Sequence, residues 1–590
     1  MKNYLGFILT VALLTSGPTW ADTYTKADNT DPLTAATSWV SGSVPGAGDI
    51  ALWDNSLITP NNSALDTDWT VGQLKIATTA SGAHVTVSGT HTLTLNGVGG
   101  TGIDMTGVTS AHSWLYLDSN VTLGAAQTWT LASRLFLRGN LSGNQALTIT
   151  GTGDLDLNGD NSGFTGGLTL ATSAKKTLTI NHLNALGAGA INVSQDFVFV
   201  TTVTNLNLAN AINLNNKNLE INTNGRDVLL SSNILTGSGN IAKTNNNGTL
   251  TISGTNNFSL NKLEVTGGHV ILSGSLYSTG IVQLESANNT SASTGTLTIT
   301  GVLDRKGANN ADIRSLSTNG ALTINITGSG LLNTREGGFN MGAFYGNSAT
   351  STLNVNLNNS AAFTATNSNV SIGGQNGMTS NLSLSGTSLF HVNGLSLNNN
   401  ANTSDKAAAT VSVTVSDQAR LLSNGDFNIG ANSSNTVTSV TQNGGVVQAP
   451  IFRLNGSADK ENNLVTYHLN GGVLYLSDKN DTPTNDHNLN TGNSSIGLGK
   501  DSALYLTSGT IRVNGTNNGI NGNASAGTNS GTGRLVVQEG GVTFDNIISG
   551  NFSVNVALEH GGAADKDGGL TKTGAGVLLL NTANTYTGDT

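Results

Sequence analysis

Short alternations of apolar and polar residues recur along almost the whole chain and break at Gly, Asn or Asp. Val85-Thr86-Val87-Ser88-Gly89, Leu178-Thr179-Ile180-Asn181, Leu250-Thr251-Ile252-Ser253-Gly254 and Leu382-Ser383-Leu384-Ser385-Gly386 show the pattern. Period 2 marks a strand with one buried face, so each string predicts a short β-strand. Its Leu, Ile or Val side chains point inward, and the Thr, Ser, Asp or Asn between them face water. Gly and Asn at the breaks supply left-handed backbone at corners. No helix of more than two turns is predicted beyond the N-terminal segment.

The length of 590 residues is too great for one sandwich or barrel core. Stacked repeats escape that limit, because each contacts only its neighbours. Leu147-Thr148-Ile149-Thr150-Gly151-Thr152-Gly153-Asp154-Leu155-Asp156-Leu157 matches Leu570-Thr571-Lys572-Thr573-Gly574-Ala575-Gly576-Val577-Leu578-Leu579-Leu580. Each is followed by an asparagine (Asn161, Asn584) and by an aromatic before Thr-Gly (Phe164, Tyr586). A looser copy runs Ile241-Ala242-Lys243-Thr244, then Gly248 to Ile252, then Asn256 and Phe258. Asn443-Gly444-Gly445 and Asn470-Gly471-Gly472 form a second family, and Asn393-Gly394 and Asn424-Gly425 a third pair. A rung of about 22 residues, with asparagines stacked in ladders, is expected.

All six tryptophans lie at or before Trp129, and no proline occurs between Pro60 and Pro450. Proline removes a ladder donor, so its absence suits continuous strands, while early aromatics and prolines suit a cap that blunts the first edge. The expected organisation is a signal peptide over 1–21, an N-terminal cap and first rungs over 22–130, and solenoid repeats over 131–590.

Lys2, the apolar run Leu5 to Leu14 and the small Ala21 read as a secretory signal peptide cut before Asp22. Ten apolar residues are too few to span a bilayer. There is no cysteine, which excludes disulfides, zinc–thiolate sites and cysteine nucleophiles. Charged residues make up only 10%, the net charge is −10 and no basic cluster exists, so a nucleic-acid partner is not expected. Low charge and 75 glycines would suit disorder, but disordered tracts do not sustain apolar alternation.

At Leu570 to Gly588 the string LTKTGAGVLLLNTANTYTG resembles the passenger-associated transport repeat (autotransporter-associated β-strand repeat) of autotransporter-type proteins, roughly LxKxGxGxLxLxxxNTYTG. The weaker copies near 147 and 241 extend the match. His182 to Val193 resembles a strand that follows such repeats, and Trp39 to Asp54 resembles the start of mature proteins of this group. The resemblance implies an all-β fold, a right-handed parallel β-helix (β-solenoid) with an N-terminal cap. It implies an exported passenger on the surface of a Gram-negative bacterium, or released from it. Its partners would be an outer-membrane translocation machinery or a C-terminal barrel, which this sequence does not contain. The two earlier copies continue into another strand after the aromatic-Thr-Gly, so truncation within the last repeat is expected.

Few strings suggest chemistry. Gly99-Gly100-Thr101-Gly102-Ile103-Asp104 matches the calcium-binding GGxGxD pattern once, but that motif works through tandem copies. Asp154, Asp156, Asn158, Gly159 and Asp160 echo an EF-hand loop, with Thr165 where a bidentate Glu belongs. The nine histidines show no HExxH or HxH, and there is no GxSxG. Charge clusters occur at Asp304-Arg305-Lys306, Arg335-Glu336, Asp459-Lys460-Glu461 and Asp478-Lys479. Solvated loops explain them as well as a sugar-binding groove does. The expectation is therefore no catalytic residue, no cofactor and no metal. The expected function is a structural or adhesive surface passenger that meets a surface glycan or protein ligand; a β-helix carbohydrate-active enzyme (polysaccharide lyase or glycoside hydrolase) is the alternative.

Overall fold

A computed structural model describes residues 21–590 apart from 111, 232–233, 246, 279–282, 286–293, 306–310, 315–319, 336–337, 343–350, 374–376, 399–408, 431–434, 456–462, 478–494, 515–517, 523–532 and 548. The expected signal peptide therefore lies outside the described residues up to its last position, as do Lys306, Glu336, Asp459, Lys460, Glu461, Asp478 and Lys479. The described chain is strand and turn with one 3-10 turn at Ala36–Ser38, and forms a parallel β-solenoid. It divides after Ile191 into two compact units.

In the first unit the rungs give strands to three all-parallel faces, four of them contributing to face B. Face A runs from Thr23–Thr25 through Gln127–Leu131 to Leu168–Leu170, and face B from Trp69–Val71 to Leu141–Ser142. Face C stacks Asn61–Ala64, Val85–Ser88, Leu115–Leu117, Leu135–Leu137, Leu155–Leu157 and Lys176–Ile180. Inward columns such as Val85, Leu115, Leu135, Leu155 and Leu178 are almost wholly buried. Each contributes roughly 1.5–3 kcal/mol of burial. The cap is built on indoles: Trp39 meets Trp53 at 6.0 Å and Trp69 at 5.9 Å. Their ring N–H groups donate to Leu33 O, to Asn61 Oδ1 and to Pro45 O, so the large rings are buried without orphaned donors.

The second unit carries a fourteen-stranded parallel sheet, face D, from Leu206–Leu208 to Leu558–His560. Face E ends at Val577–Leu580 and face F at Leu570–Thr573. Registered residues on face D lie from 20 apart (Leu250 and Val270) to 37 apart (Tyr467 and Leu504). Most rungs are thus longer than the expected 22, while the strand register on face D holds.

The repeats have physical causes. Asn161, Asn256 and Asn584, at the same place in the three copies, each accept a backbone N–H from the preceding rung, that of Leu141, Leu235 and Leu558. In each copy the amide is a stitch between rungs. Lys243 and Lys572 also share a role, their ammonium groups donating to the carbonyls of the turn that follows. Asparagine ladders form as expected: Asn356 donates to Asn325 at 2.9 Å, Asn381 to Asn354 at 2.9 Å and Asn470 to Asn443 at 3.0 Å. Every non-glycine residue with positive φ among the described ones is Asn or Asp. At the Asn-Gly-Gly turns glycine is obligatory, since a Cβ on Gly472 (φ +75°) would lie 2.4 Å from Gly445 O on the rung before.

Candidate functional site

Along face C the inward leucines force the residues between them outward. Successive rungs place Thr86, Tyr116, Phe136 and Asp156 in one outward column. The alternation puts His84, Trp114, Arg134 and Asp154 on one side of it and Ser88, Asp118, Arg138 and Asn158 on the other. Outward positions elsewhere carry mostly Thr, Asn and Ser, so this concentration of rings is a departure.

The rings interlock. Tyr116 and Phe136 stack at 4.8 Å with 14° between their planes, and His84 stacks on Trp114 at 4.9 Å. Trp114 meets Phe136 at 5.6 Å and 59°. The Arg138 guanidinium lies 4.3 Å from the Tyr116 ring centre, and that of Arg134 lies 4.9 Å from Phe136. Arg134 grips Asp156 through two bonds, Nη2–Oδ1 at 2.8 Å and Nε–Oδ2 at 2.5 Å, and Arg138 lies 3.5 Å from Asp118. Aromatic pairs of this kind contribute about 0.5–1.5 kcal/mol each, and exposed cation–π contacts about 0.5–1.

Burial, then the neighbouring His112, push the His84 pKa down, and its Nδ1 accepts the Trp114 backbone N–H at 3.1 Å. The side-chain hydrogen bond that Arg134 donates to Asp156 raises the Arg134 pKa, and burial raises the Tyr116 hydroxyl pKa despite the two arginines. Such a surface suits contact recognition: ring edges, guanidinium groups and carboxylates presented together on a rigid sheet.

The strings that hinted at metals are tied up within the protein. Asp104 accepts the Thr106 N–H and hydroxyl through Oδ1 and meets Lys75 through Oδ2 at 3.3 Å. Asp154 accepts the Thr177 N–H, and Asp160 accepts from Ser162 and Asn184. Asn158 accepts from Asn181. These groups bond to successive rungs and do not converge, and no cluster able to hold a metal ion exists among the described residues. Of the charge clusters, Asp304 is buried and bound by Arg335 at 2.8 Å and by Asn333, while Arg305 is buried and donates to Thr334.

One grouping invisible to motif searches combines a hydroxyl, an imidazole and a carboxylate. Thr587 Oγ1 and Asp567 Oδ2 each lie 3.0 Å from His560 Nδ1. A catalytic triad needs the carboxylate on one ring nitrogen and the nucleophile on the other. Here both share Nδ1. Asp567 also accepts the N–H groups of Thr587, Gly588 and Gly569, so the grouping clasps the turn. Burial raises the Asp567 pKa, but these donors outweigh it and hold the carboxyl below its usual range.

The aromatic array escaped the motif search because no motif describes it. Its signal was nonetheless present: in Leu115-Tyr116-Leu117 and Leu135-Phe136-Leu137 the intervening residue is a ring where a small polar residue is usual. Compared with known protein families, curated proteins and solved structures, the chain matches none.

Proposed function

We propose that this chain is the exported passenger of a Gram-negative surface protein, a stiff solenoid whose outward aromatic–arginine array on face C meets a surface glycan or protein ligand. The observation that carries the adhesive part is the array itself, four rings and two guanidinium groups on a sheet whose outward positions are otherwise small and polar. Export rests on the N-terminal segment and on the resemblance of the last repeat. Carboxylates bonded within the protein support binding over hydrolysis or elimination.

The test has two arms. Expressed from its own start in a Gram-negative host, the chain should begin at Asp22 and be reached by protease on intact cells. A cytoplasmic product with residues 1–21 retained would overturn export. Purified protein should bind at least one member of a panel of glycans and host-matrix proteins, and Trp114→Thr/Tyr116→Thr/Phe136→Thr should lose that binding while keeping its β circular dichroism. Unchanged binding by the triple variant would remove face C from the proposal.

A further inference from the structure

On face D the outward groups of successive rungs generally answer one another, as Asn356 answers Asn325 and His269 answers Thr298 at 2.8 Å. One column is interrupted near the C-terminal end of the face. Ser439, Thr466, Ala503 and Arg534 are in register, and at Ala503 there is only a methyl group. Ala503 lies in the wall of a cavity of about 590 Å³, within the range of small-ligand sites.

Its walls carry polar groups that no described residue satisfies. The Thr466 and Tyr505 hydroxyls, the Lys500 ammonium and the Asp501 carboxylate make no hydrogen bond or ion pair with any described residue. Arg534, half exposed, lies across the column and holds Glu559 through Nε at 2.8 Å. The Tyr505 ring is fixed by stacking on His468, 4.7 Å away and within 8° of parallel. Leu464, 56% exposed, supplies an apolar wall.

The charge balance selects the ligand. With Arg534 answered by Glu559, one cation (Lys500) and one carboxylate (Asp501) in the lining remain without a partner among the described residues. An anion would gain Lys500 and be repelled by Asp501, and a cation the reverse. A polyol offers each hydroxyl as donor and acceptor at once, and a pyranose adds an apolar C–H face for Leu464 and Ala503. We propose that this cavity binds a neutral mono- or disaccharide, with its hydroxyls shared among Lys500, Asp501, Thr466 and Tyr505. The site does not depend on the array of face C or on export.

The experiment is calorimetric or saturation-transfer titration of the purified chain, residues 22–590, with glucose, galactose, mannose, maltose and lactose, and with glucuronate as the charged control. At least one neutral sugar should bind with Kd at or below about 1 mM. Lys500→Gln and Asp501→Asn should each weaken it tenfold or more. Asn keeps the left-handed backbone that residue 501 adopts (φ +61°). Ala503→Gln, which projects a longer side chain into the cavity without changing a charge, should weaken binding tenfold or more and leave the urea midpoint unchanged. No saturable binding by any neutral sugar, undiminished binding in Ala503→Gln, or glucuronate binding tenfold tighter than every neutral sugar would each overturn the proposal.

Discussion

Lys243 is the sharpest test of how the rungs are held together. Its side chain is fully buried, and Nζ donates to the carbonyls of Thr244 (3.0 Å), Asn245 (2.7 Å) and Asn247 (3.2 Å), and of Gly267 (3.2 Å) on the next rung. Lys243→Met keeps the length and removes every donor. Asn247 O retains the Thr223 hydroxyl, so three carbonyls lose this partner. At about 1 kcal/mol for each buried group left unsatisfied, the variant should be about 3 kcal/mol less stable at pH 7. Burial also draws the lysine pKa down from 10.5 to about 8. The unfolded chain then holds a proton that the folded chain has released between about pH 8 and 10.5, so stability must rise with pH through that window. At 1.36 kcal/mol per unit the rise has an upper limit of about 3 kcal/mol, and the neutral amine keeps two donors. The gap between native protein and variant should therefore widen as pH rises. Solenoids open in parts, so the assay is urea-dependent protease cleavage within 239–272, with 352–384 as a distant internal control. A gap below about 0.5 kcal/mol at pH 7, or one that narrows from pH 8 to 10.5, would refute the reasoning.

Other outcomes follow from the same contacts. Leu157→Asp buries a carboxylate in an apolar column; protease should reach residues near 137–180 while distant rungs stay protected, with a local cost of about 3–5 kcal/mol. Asp567→Asn keeps acceptor capacity but loses the charge beside His560, and should loosen the turn around Thr587 and Gly588 by about 1–2 kcal/mol, read as faster amide exchange at those two residues. Excess chelator should leave the melting temperature unchanged, because the carboxylates of Asp104, Asp154, Asp156 and Asp160 already have protein partners; a fall of more than about 5 °C would revive a calcium site. A polysaccharide panel should yield neither reducing ends nor unsaturated products.

Much of the fold was legible because a solenoid repeats one simple instruction. Leu155-Asp156-Leu157 and Val85-Thr86-Val87 state which face of each strand is inward, and the structure buries Leu155, Leu157, Val85 and Val87 as read, while Asp156, expected to face water, is covered by its pairing with Arg134. Rung length was less legible. Between Tyr467 and Leu504 the chain spends 37 residues on one turn, and nothing local says that Leu504, rather than an earlier apolar residue, must sit above Tyr467. The sites were harder still. Tyr116 and Phe136 are neighbours only because their rungs are in register 20 residues apart, and the gap at Ala503 exists only because Thr466 and Arg534 flank it. Each is a property of a column across the chain.

That column geometry also accounts for the low charge. In a parallel, in-register sheet a residue lies about 4.8 Å from its counterpart on the next rung. Two like charges at that distance repel by about 1 kcal/mol in water and about 3–4 at an effective dielectric of 20. A repeated charged residue would therefore accumulate a penalty at every rung, whereas repeated Asn or Thr gains a hydrogen bond. Several of the charges that remain follow this rule. Lys75 meets Asp104, Arg134 meets Asp156, Arg138 meets Asp118, Arg335 meets Asp304 and Arg512 meets Asp545, each pair bridging adjacent rungs with opposite signs. Arg453 and Asp426, and Arg534 and Glu559, do the same. Lys500 and Asp501, at the rim of the face D cavity, stand outside this pattern. No ion pair between described residues uses them, so their charged groups face the cavity with hydrogen-bonding capacity to offer a ligand.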